Sequence, residues 1–281
     1  MRLCFALVPI AVVSIWTADA GHAVGPVGVR LQPHLAIYDL VLKRSTDRLG
    51  LAGVNGRLAI EVSGSECQNW IVNFRMVSQF QNEDESLRLL DTRSLTEESG
   101  NGRTLDVEQQ NYVDGALDTE SKITAAKKLD GSVQGSILKP QEQAFQLAVG
   151  TVFPVGHLQK LIETAERGEK RDKSIVFDGT EGTKAYTAIT FLGGERDKGS
   201  QRTALQAPAG AELKKVKAWP ATISYYDVAK GDNNDGTPSF EILVEMFENG
   251  VSGDMVIDYG DYALNAKLAE LKLKPFGECH Q

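Results

Sequence analysis

Residues 58–76, LAIEVSGSECQNWIVNFRM, contain two runs in which apolar and polar side chains alternate. The first run extends from Leu58 to Val62 and the second from Trp70 to Met76. Alternation with a period of two is typical of a β-strand that buries one face. The intervening segment, Ser63–Cys67, has the composition of a tight turn. This stretch therefore predicts an antiparallel hairpin with Cys67 at its edge.

The same alternation recurs along most of the chain, with turn residues about every ten positions. Further strands are predicted at 38–42, 87–95, 103–112, 121–127, 132–138, 144–149, 174–177, 184–191, 218–227, 239–247, 251–259 and 262–273. The strands in the middle of the chain carry few large apolar residues, as is typical when one face of a sheet contacts water. The fold class predicted from these patterns is all-β and mainly antiparallel.

One segment near residues 155–167 has helical spacing instead. Leu158, Leu161, Ile162 and Ala165 recur at i, i+3, i+4 and i+7. Pro154 precedes them, and Gly168 follows at the position of a helix C-terminal cap. We therefore expect one short amphipathic helix that covers one side or end of the sheet.

The first twenty residues predict a secretory signal peptide. Arg2 is followed by an apolar run of about fourteen residues and then by Ala18-Asp19-Ala20, which fits the A-x-A cleavage pattern. Cleavage is expected after Ala20, and Ala23 is an alternative site. No later window approaches the roughly twenty apolar residues of a membrane-spanning helix. We therefore expect an exported, soluble protein with no membrane span and a single domain covering residues 24–281, since no linker or repeat divides that range.

Three cysteines are present, and Cys4 would leave with the signal peptide. The remaining pair, Cys67 and Cys279, would reach an oxidising compartment, where an even number of cysteines is expected to be bridged. Metal and redox roles are less favoured, because no further ligand accompanies the pair and no C-x-x-C motif occurs. The sequence predicts a disulfide that brings the C-terminal tail back to the early hairpin.

The formal net charge of −8 disfavours nucleic acid as a partner. Basic residues are scattered among acidic ones, and the densest basic patch, residues 214–217, is short. This patch is interpreted as the solvated end of a strand.

Motifs for nucleophilic catalysis are weak. The G-x-S-x-G signature is absent. Ser136 and Lys139 match S-x-x-K, but Gly135 and Pro140 flank the motif, and the segment is predicted to be an extended strand. The geometry that would let the lysine activate the serine requires a helical turn, so a catalytic role is not expected.

Metal and acid/base chemistry are also not favoured. His34, His157 and His280 are spread along the mature chain. The loop at residues 232–236 is rich in Asp and Asn, but Leu243 stands where an EF-hand calcium loop requires a glutamate, so a hairpin turn is expected instead. Two acidic pairs, Glu97 with Glu98 and Asp258 with Asp261, could serve a glycosidase only if their carboxylates converged. We expect no enzymatic activity, no cofactor and no resident metal.

Several landmarks occur in a characteristic order. They are the alternating run from His34 to Leu42, Cys67-Gln68-Asn69-Trp70, the helix between Phe153 and Glu169, the segment Asp258–Tyr262 and the tail from Pro275 to Cys279. Together they resemble the cell-envelope integrity protein family EipB over nearly the whole mature chain. Asn69 departs from the glycine expected before the aromatic residue, which affects the expectation for local turn geometry alone.

The resemblance implies a non-enzymatic periplasmic protein of Gram-negative bacteria that supports envelope integrity and stress resistance. It implies a long antiparallel β-spiral, similar to the open barrels of lipoprotein carriers, and a disulfide between the two mature cysteines. It also implies a functional link to a periplasmic TPR-repeat protein. An alternative function stays open: a curved sheet with one helix could carry lipid or lipoprotein in a groove on its concave face.

Overall fold

The computed structural model describes residues 29–197, 209–233, 236–277 and 279. Over these residues the chain forms fifteen β-strands, all in one sheet, and two α-helices. The strands are β1 (His34–Ser45), β2 (Leu51–Gly64), β3 (Asn69–Asn82), β4 (Leu87–Ser99), β5 (Thr104–Val113), β6 (Ala116–Lys127), β7 (Val133–Lys139), β8 (Gln143–Leu147), β9 (Thr151–Val152), β10 (Arg171–Val176), β11 (Tyr186–Leu192), β12 (Ala218–Asp227), β13 (Phe240–Phe247), β14 (Ser252–Asp258) and β15 (Tyr262–Leu273). The helices are α1 (Pro154–Glu166) and α2 (Ala209–Leu213). The predicted signal peptide lies outside the described residues.

The strand order places β1 in the middle of the sheet. From β1 the chain adds antiparallel strands on one side as far as β8, which is one edge. The other half begins at the opposite edge with β9 and proceeds to β15, which pairs with β1. Only the β9–β10 pair is parallel among the described strands. The sheet curls into a nearly closed barrel whose two edges, β8 and β9, are consecutive in the sequence.

The predicted antiparallel fold is confirmed, and each predicted strand is present with small shifts at its ends. In the hairpin of β2 and β3, Val62 lies opposite Val72 and Gly64 lies opposite Trp70. Gly64 has φ 98°, a left-handed conformation that glycine adopts readily. Trp70 is buried, so the alternation correctly indicates the inward face.

Helix α1 lies between the two halves of the sheet. Its buried apolar residues, which include Leu161 and Ile162, belong to one apolar cluster with Trp70 of β3 and Trp219 of β12. Pro154 occupies the first turn, where its missing N–H costs no hydrogen bond, and Gly168 has φ 75° just beyond the end. The predicted helix is confirmed, and it packs within the barrel.

Two further clusters occupy the interior. One gathers Tyr38 and Leu40 of β1 with Phe247 at the end of β13. The other gathers Phe153 and Phe177 with inward residues of β5 to β8. Side chains from both halves of the sheet thus contact each other, and the concave face is packed by them and by α1.

Helix α2 is an element that the sequence pattern does not predict. It has five residues, which is too short to show a helical period. Leu213 at its end is fully buried against the cluster around Tyr38 and Phe247. None of the helices in the described ranges is long and apolar enough to cross a membrane.

Candidate functional site

The two mature cysteines meet where the C-terminal tail returns to the first hairpin. Cys67 lies in the turn between β2 and β3, and Cys279 follows β15. Their Cα atoms are 5.6 Å apart although 212 positions separate them in the sequence, and the structure joins their sulfurs. This separation of Cα atoms is the usual one for a disulfide. The structure therefore brings together the two cysteines that the sequence predicts to be bridged.

Noncovalent contacts also hold the tail in place. The Gln32 side chain donates to the carbonyl oxygen of Lys274 at 2.6 Å, and the Lys274 ammonium pairs with the Glu61 carboxylate. The Arg30 guanidinium lies 3.8 Å from the centre of the Phe276 ring, a cation–π contact. The tail thus packs against the segment before β1 and against β2, independently of the sulfur bridge.

Glu66 is the neighbour that could turn the cysteine pair into a metal site. Its carboxylate and the two sulfurs all lie within 4.8 Å of one another, and all three residues are exposed. A metal-binding cysteine must be a thiolate, and sulfurs that are bonded to each other cannot supply one. The oxidised site is therefore suited to fastening the tail, and its donor set does not fit a metal.

The structure places the histidine and serine residues considered above on separate elements. His34 is buried at the start of β1, where its Nδ1 lies 2.7 Å from the carbonyl oxygen of Gln32. Ser136 and Lys139 lie on the extended strand β7, where residues three apart point to opposite faces. Lys139 pairs instead with Glu120 of β6 at 3.3 Å. His280 lies outside the described residues.

The structure places Glu97 and Glu98 on opposite faces of β4 and gives Asp258 and Asp261 separate arginine partners. Glu97 is exposed, and its neighbour Glu98 points inward and is 1% exposed. Asp258 accepts two hydrogen bonds from Arg44 at 2.6 and 2.7 Å, and Asp261 pairs with Arg48 at 2.6 Å. The two aspartates thus face partners of opposite charge, an arrangement unlike that of a glycosidase. The predicted hairpin turn at 232–236 is only partly described, since residues 234 and 235 lie outside the described ranges.

Glu98 has a structural role that sequence reasoning missed. Its carboxylate accepts hydrogen bonds from the backbone N–H groups of Val155 at 2.7 Å and Gly156 at 2.9 Å. Burial raises the pKa of Glu98 to about 7, while these two hydrogen bonds and the nearby Lys127 oppose the shift. A carboxylate from β4 thus caps the N-terminus of α1.

A second polar cluster joins α1 to β10. The Lys160 ammonium lies 2.8 Å from the Asp172 carboxylate and donates to the Ser174 hydroxyl at 2.8 Å. His157 is buried beside them, with its Nε2 4.0 Å from Asp172 and without a hydrogen-bond partner among the described residues. Burial lowers the pKa of His157 to about 4, against the opposing effect of Asp172. The contacts of Lys160 with β10 orient α1. Because Ser174 is buried, its hydroxyl is not accessible as a nucleophile.

The outer face of the N-terminal half carries two adjoining grooves. One has a volume of about 530 Å³ and extends across β1 to β7, and the other has about 490 Å³ and lies across β1 to β4. They share Ala59 and Arg75. Apolar side chains such as Leu35 and Leu95 lie among charged ones.

An ion-pair network crosses these grooves. Arg75 and Arg93 both bind the Asp91 carboxylate, at 2.9 and 2.7 Å. The hydrogen bond from Arg75 is the main reason that the pKa of Asp91 falls to about 2. Since Lys122 and Lys139 are paired with Glu108 and Glu120, the groove surface is charged but locally neutralised.

Comparisons with known proteins agree with this architecture. A family model described as EipB-like matches residues 27–275. The chain is 32% identical over 268 residues to the cell envelope integrity protein EipB of Brucella abortus (strain 2308), a match that covers 95% of this chain and 93% of that protein. It is also similar to the crystal structure of a β-barrel-like protein of unknown function from Brucella abortus, with a TM-score of 0.81 and 31% identity. That match covers 88% of this chain and 100% of the other. The chain therefore belongs to the EipB-like family.

Proposed function

We propose that this chain is a non-enzymatic periplasmic protein that supports cell-envelope integrity and resistance to envelope stress by binding protein partners. The observation that carries the proposal is the similarity to a cell envelope integrity protein over nearly the full length of both chains. Because the match is not confined to one segment, the whole barrel is the unit to which the role applies. The predicted signal peptide supports placement in the periplasm.

The non-enzymatic part of the proposal is supported by the use that the fold makes of its polar groups. Glu98 caps a helix, Asp172 pairs with Lys160, and Asp258 pairs with Arg44. Each of these carboxylates has a neighbour that accounts for it structurally. A carboxylate held in such a contact is not placed to act as the general acid or base of a hydrolase.

The packing of the concave face supports an outer surface as the binding region. With α1 and side chains from both halves occupying the interior, a partner would contact the outer face, the grooves or the sheet edges. A periplasmic TPR-repeat protein, which the family resemblance implies, is the first partner to test.

Crosslinking in intact cells tests the proposal. The full-length chain, carrying an affinity tag, is treated with a membrane-permeant crosslinker, and the recovered species are compared with those from an exported, unrelated protein. A reproducible protein partner absent from the control is the expected result. Repeated recovery of the chain alone would contradict the proposal.

A lipid or lipoprotein carrier is the second candidate, and the observation in its favour is the pair of outer grooves with apolar side chains. The sequence favours a groove on the concave face, but that face is packed, so the outer grooves take its place in this candidate. Native mass spectrometry of freshly purified protein tests it: a bound lipid would support the carrier role. A clean apo mass, with no thermal shift on adding lipid, would dismiss it.

A further inference from the structure

Among the described residues, no strand pairs with the outer side of β8, so this edge of the sheet is open. It pairs with β7 on one side, with Phe145 opposite Gly135, and it ends the strand order on the other side. In an antiparallel pair, alternate residues direct their N–H and C=O groups away from the neighbouring strand. An edge strand therefore presents a row of backbone donors and acceptors that fits another extended chain.

Two usual protections of such an edge are missing from β8. Its five residues, QAFQL, include no charged residue and no proline, although these are common devices against unwanted strand pairing. The opposite edge differs. There β9 has two residues, and α1 follows it and packs on β10, where Lys160 donates to the carbonyl oxygen of Lys173. Within the part of the chain that the structure describes, the β9 edge of the nearly closed barrel is thus covered and the β8 edge is unpaired.

The side chains of β8 add an apolar margin to this backbone row. Phe145 and Leu147 are half-buried on the cluster around Phe177, with the two phenylalanine rings 5.3 Å apart. Ala144 and Gln146 alternate with them and are exposed on the outer face. Inward positions of an added strand would therefore meet apolar atoms, while its outward positions would remain in water.

We propose that β8 accepts an extended segment of a partner protein as an additional strand. The segment carries apolar residues at alternate positions, which contact Phe145 and Leu147 at the barrel seam. This inference rests on the partner-binding function proposed above and specifies where and how the partner binds. Strand addition gives affinity through main-chain hydrogen bonds and selectivity through alternate side chains.

The charge of the chain decides between a partner and a second copy. Each copy carries a formal net charge of −8, which opposes the approach of two identical molecules. A five-residue strand gives little contact area with which to offset that repulsion. The same charge favours a segment whose outward positions are basic over one whose outward positions are acidic. The partner segment is therefore not acidic.

Site-specific photo-crosslinking in intact cells tests the position. The probe residue replaces Val149, which is 64% exposed just beyond β8, or Leu243, an exposed outward residue of β13 on the far half of the sheet. A crosslink at position 149 to an alternating extended segment of one protein, and not at position 243, is expected. A partner captured only at position 243 would overturn the edge site while leaving the partner-binding function intact. A crosslink at position 149 to a second copy of the chain, or no crosslink at that position, would also overturn the edge site, whereas the partner-binding function is tested separately by the membrane-permeant crosslinker.

A matched pair of variants tests the strand-addition mode. Gln146→Lys places one charge along the exposed edge, whereas Gln134→Lys places one charge on the same face of β7, directly opposite Gln146 on a strand that is paired on both sides. The edge variant should lower the crosslink yield at position 149 at least tenfold, and the control should leave it within twofold. Equal yields would overturn the proposal.

Hydrogen–deuterium exchange of the purified full chain gives an independent measurement. In residues 143–147, the amides that point away from β7 should exchange much faster than the amides of β7, which is paired on both sides. Protection of every amide in 143–147 in the isolated protein would show that the edge is already occupied, and the proposal would fail.

Discussion

Glu98 of β4 accepts a hydrogen bond at 2.7 Å from the backbone N–H of Val155, 57 residues further along the chain. Phe153 occupies the N-cap position of α1, and its side chain has no oxygen that could accept a hydrogen bond from the first turn. The first turn of the helix is therefore capped by a strand from the other half of the sheet. Because the capped end is buried in the interior, this contact fixes both the position of α1 and the closure of the barrel around it.

Replacing Glu98 with alanine should destabilise the protein by about 1–3 kcal/mol, since one buried and one part-buried N–H group lose their acceptor. Glu97→Ala is the matched control, because Glu97 is exposed on the opposite face of the same strand and should change stability by less than about 0.5 kcal/mol. Urea unfolding followed by circular dichroism gives both values. Equal effects of the two substitutions would show that the cap contributes nothing specific.

The unfolding free energy should depend on pH because the folded protein binds a proton at Glu98 more tightly than the unfolded chain does. Since its folded-state pKa is about 7 and its ordinary value is 4.5, the folded protein keeps a proton that the unfolded chain releases between these pH values. Stability contributed by this group is therefore present below pH 4.5 and lost as the pH rises to 7, by about 3 kcal/mol in total. The difference in unfolding free energy between wild type and Glu98→Gln, measured from pH 4.5 to 8, should fall with rising pH. A constant difference would contradict the assignment.

His157 should change the unfolding free energy with pH in the opposite direction. Its pKa is lowered from 6.5 to about 4 by burial, so the unfolded chain takes up a proton between these values and the folded protein does not. The contribution of His157 is complete above pH 6.5 and is lost as the pH falls towards 4. Unfolding of wild type and His157→Gln, compared at pH 4.5 and 6.5, should show the wild type losing about 2 kcal/mol more on acidification. An equal loss would mean that His157 titrates normally beside Asp172 and Lys160.

The disulfide should stabilise the fold without being required for it. Closing a loop of 212 positions gives about 5 kcal/mol in the chain-entropy model as an upper estimate. Cys67→Ser or Cys279→Ser should lower the melting temperature by several degrees and increase proteolysis, while the β signal in circular dichroism stays largely intact. Cys4→Ser is the control, because the exported protein is predicted to lack this residue. An unchanged melting temperature after reduction would contradict the fastening role.

The strands and α1 could be predicted because their patterns are local. Alternation from Leu58 to Val62 and helical spacing from Leu158 to Ala165 each show which face of one segment is buried. That face can be identified without knowing which element covers it. The cysteine pairing follows from export and from an even count. These signals need no knowledge of which strands are neighbours.

The functional contacts could not be predicted because they depend on closure of the barrel. Glu98 looks like any charged residue in a strand, and only the meeting of β4 with α1 makes it a cap. The bare edge of β8 follows from the strand order, in which consecutive segments end up at opposite edges of the sheet. Likewise, the concave groove expected from a curved sheet is packed because α1 lies inside it, which a one-dimensional pattern does not encode.

The most direct test of the proposed function is complementation of a strain from which the gene has been deleted. Survival in a membrane-disrupting detergent is measured with the full-length chain and with a chain lacking residues 2–20, both produced at equal levels. The full-length chain should restore survival to the level of the parent strain, and the leaderless chain should not. Normal survival of the deletion strain, or equal rescue by the leaderless chain, would contradict a role in the periplasm in maintaining the cell envelope.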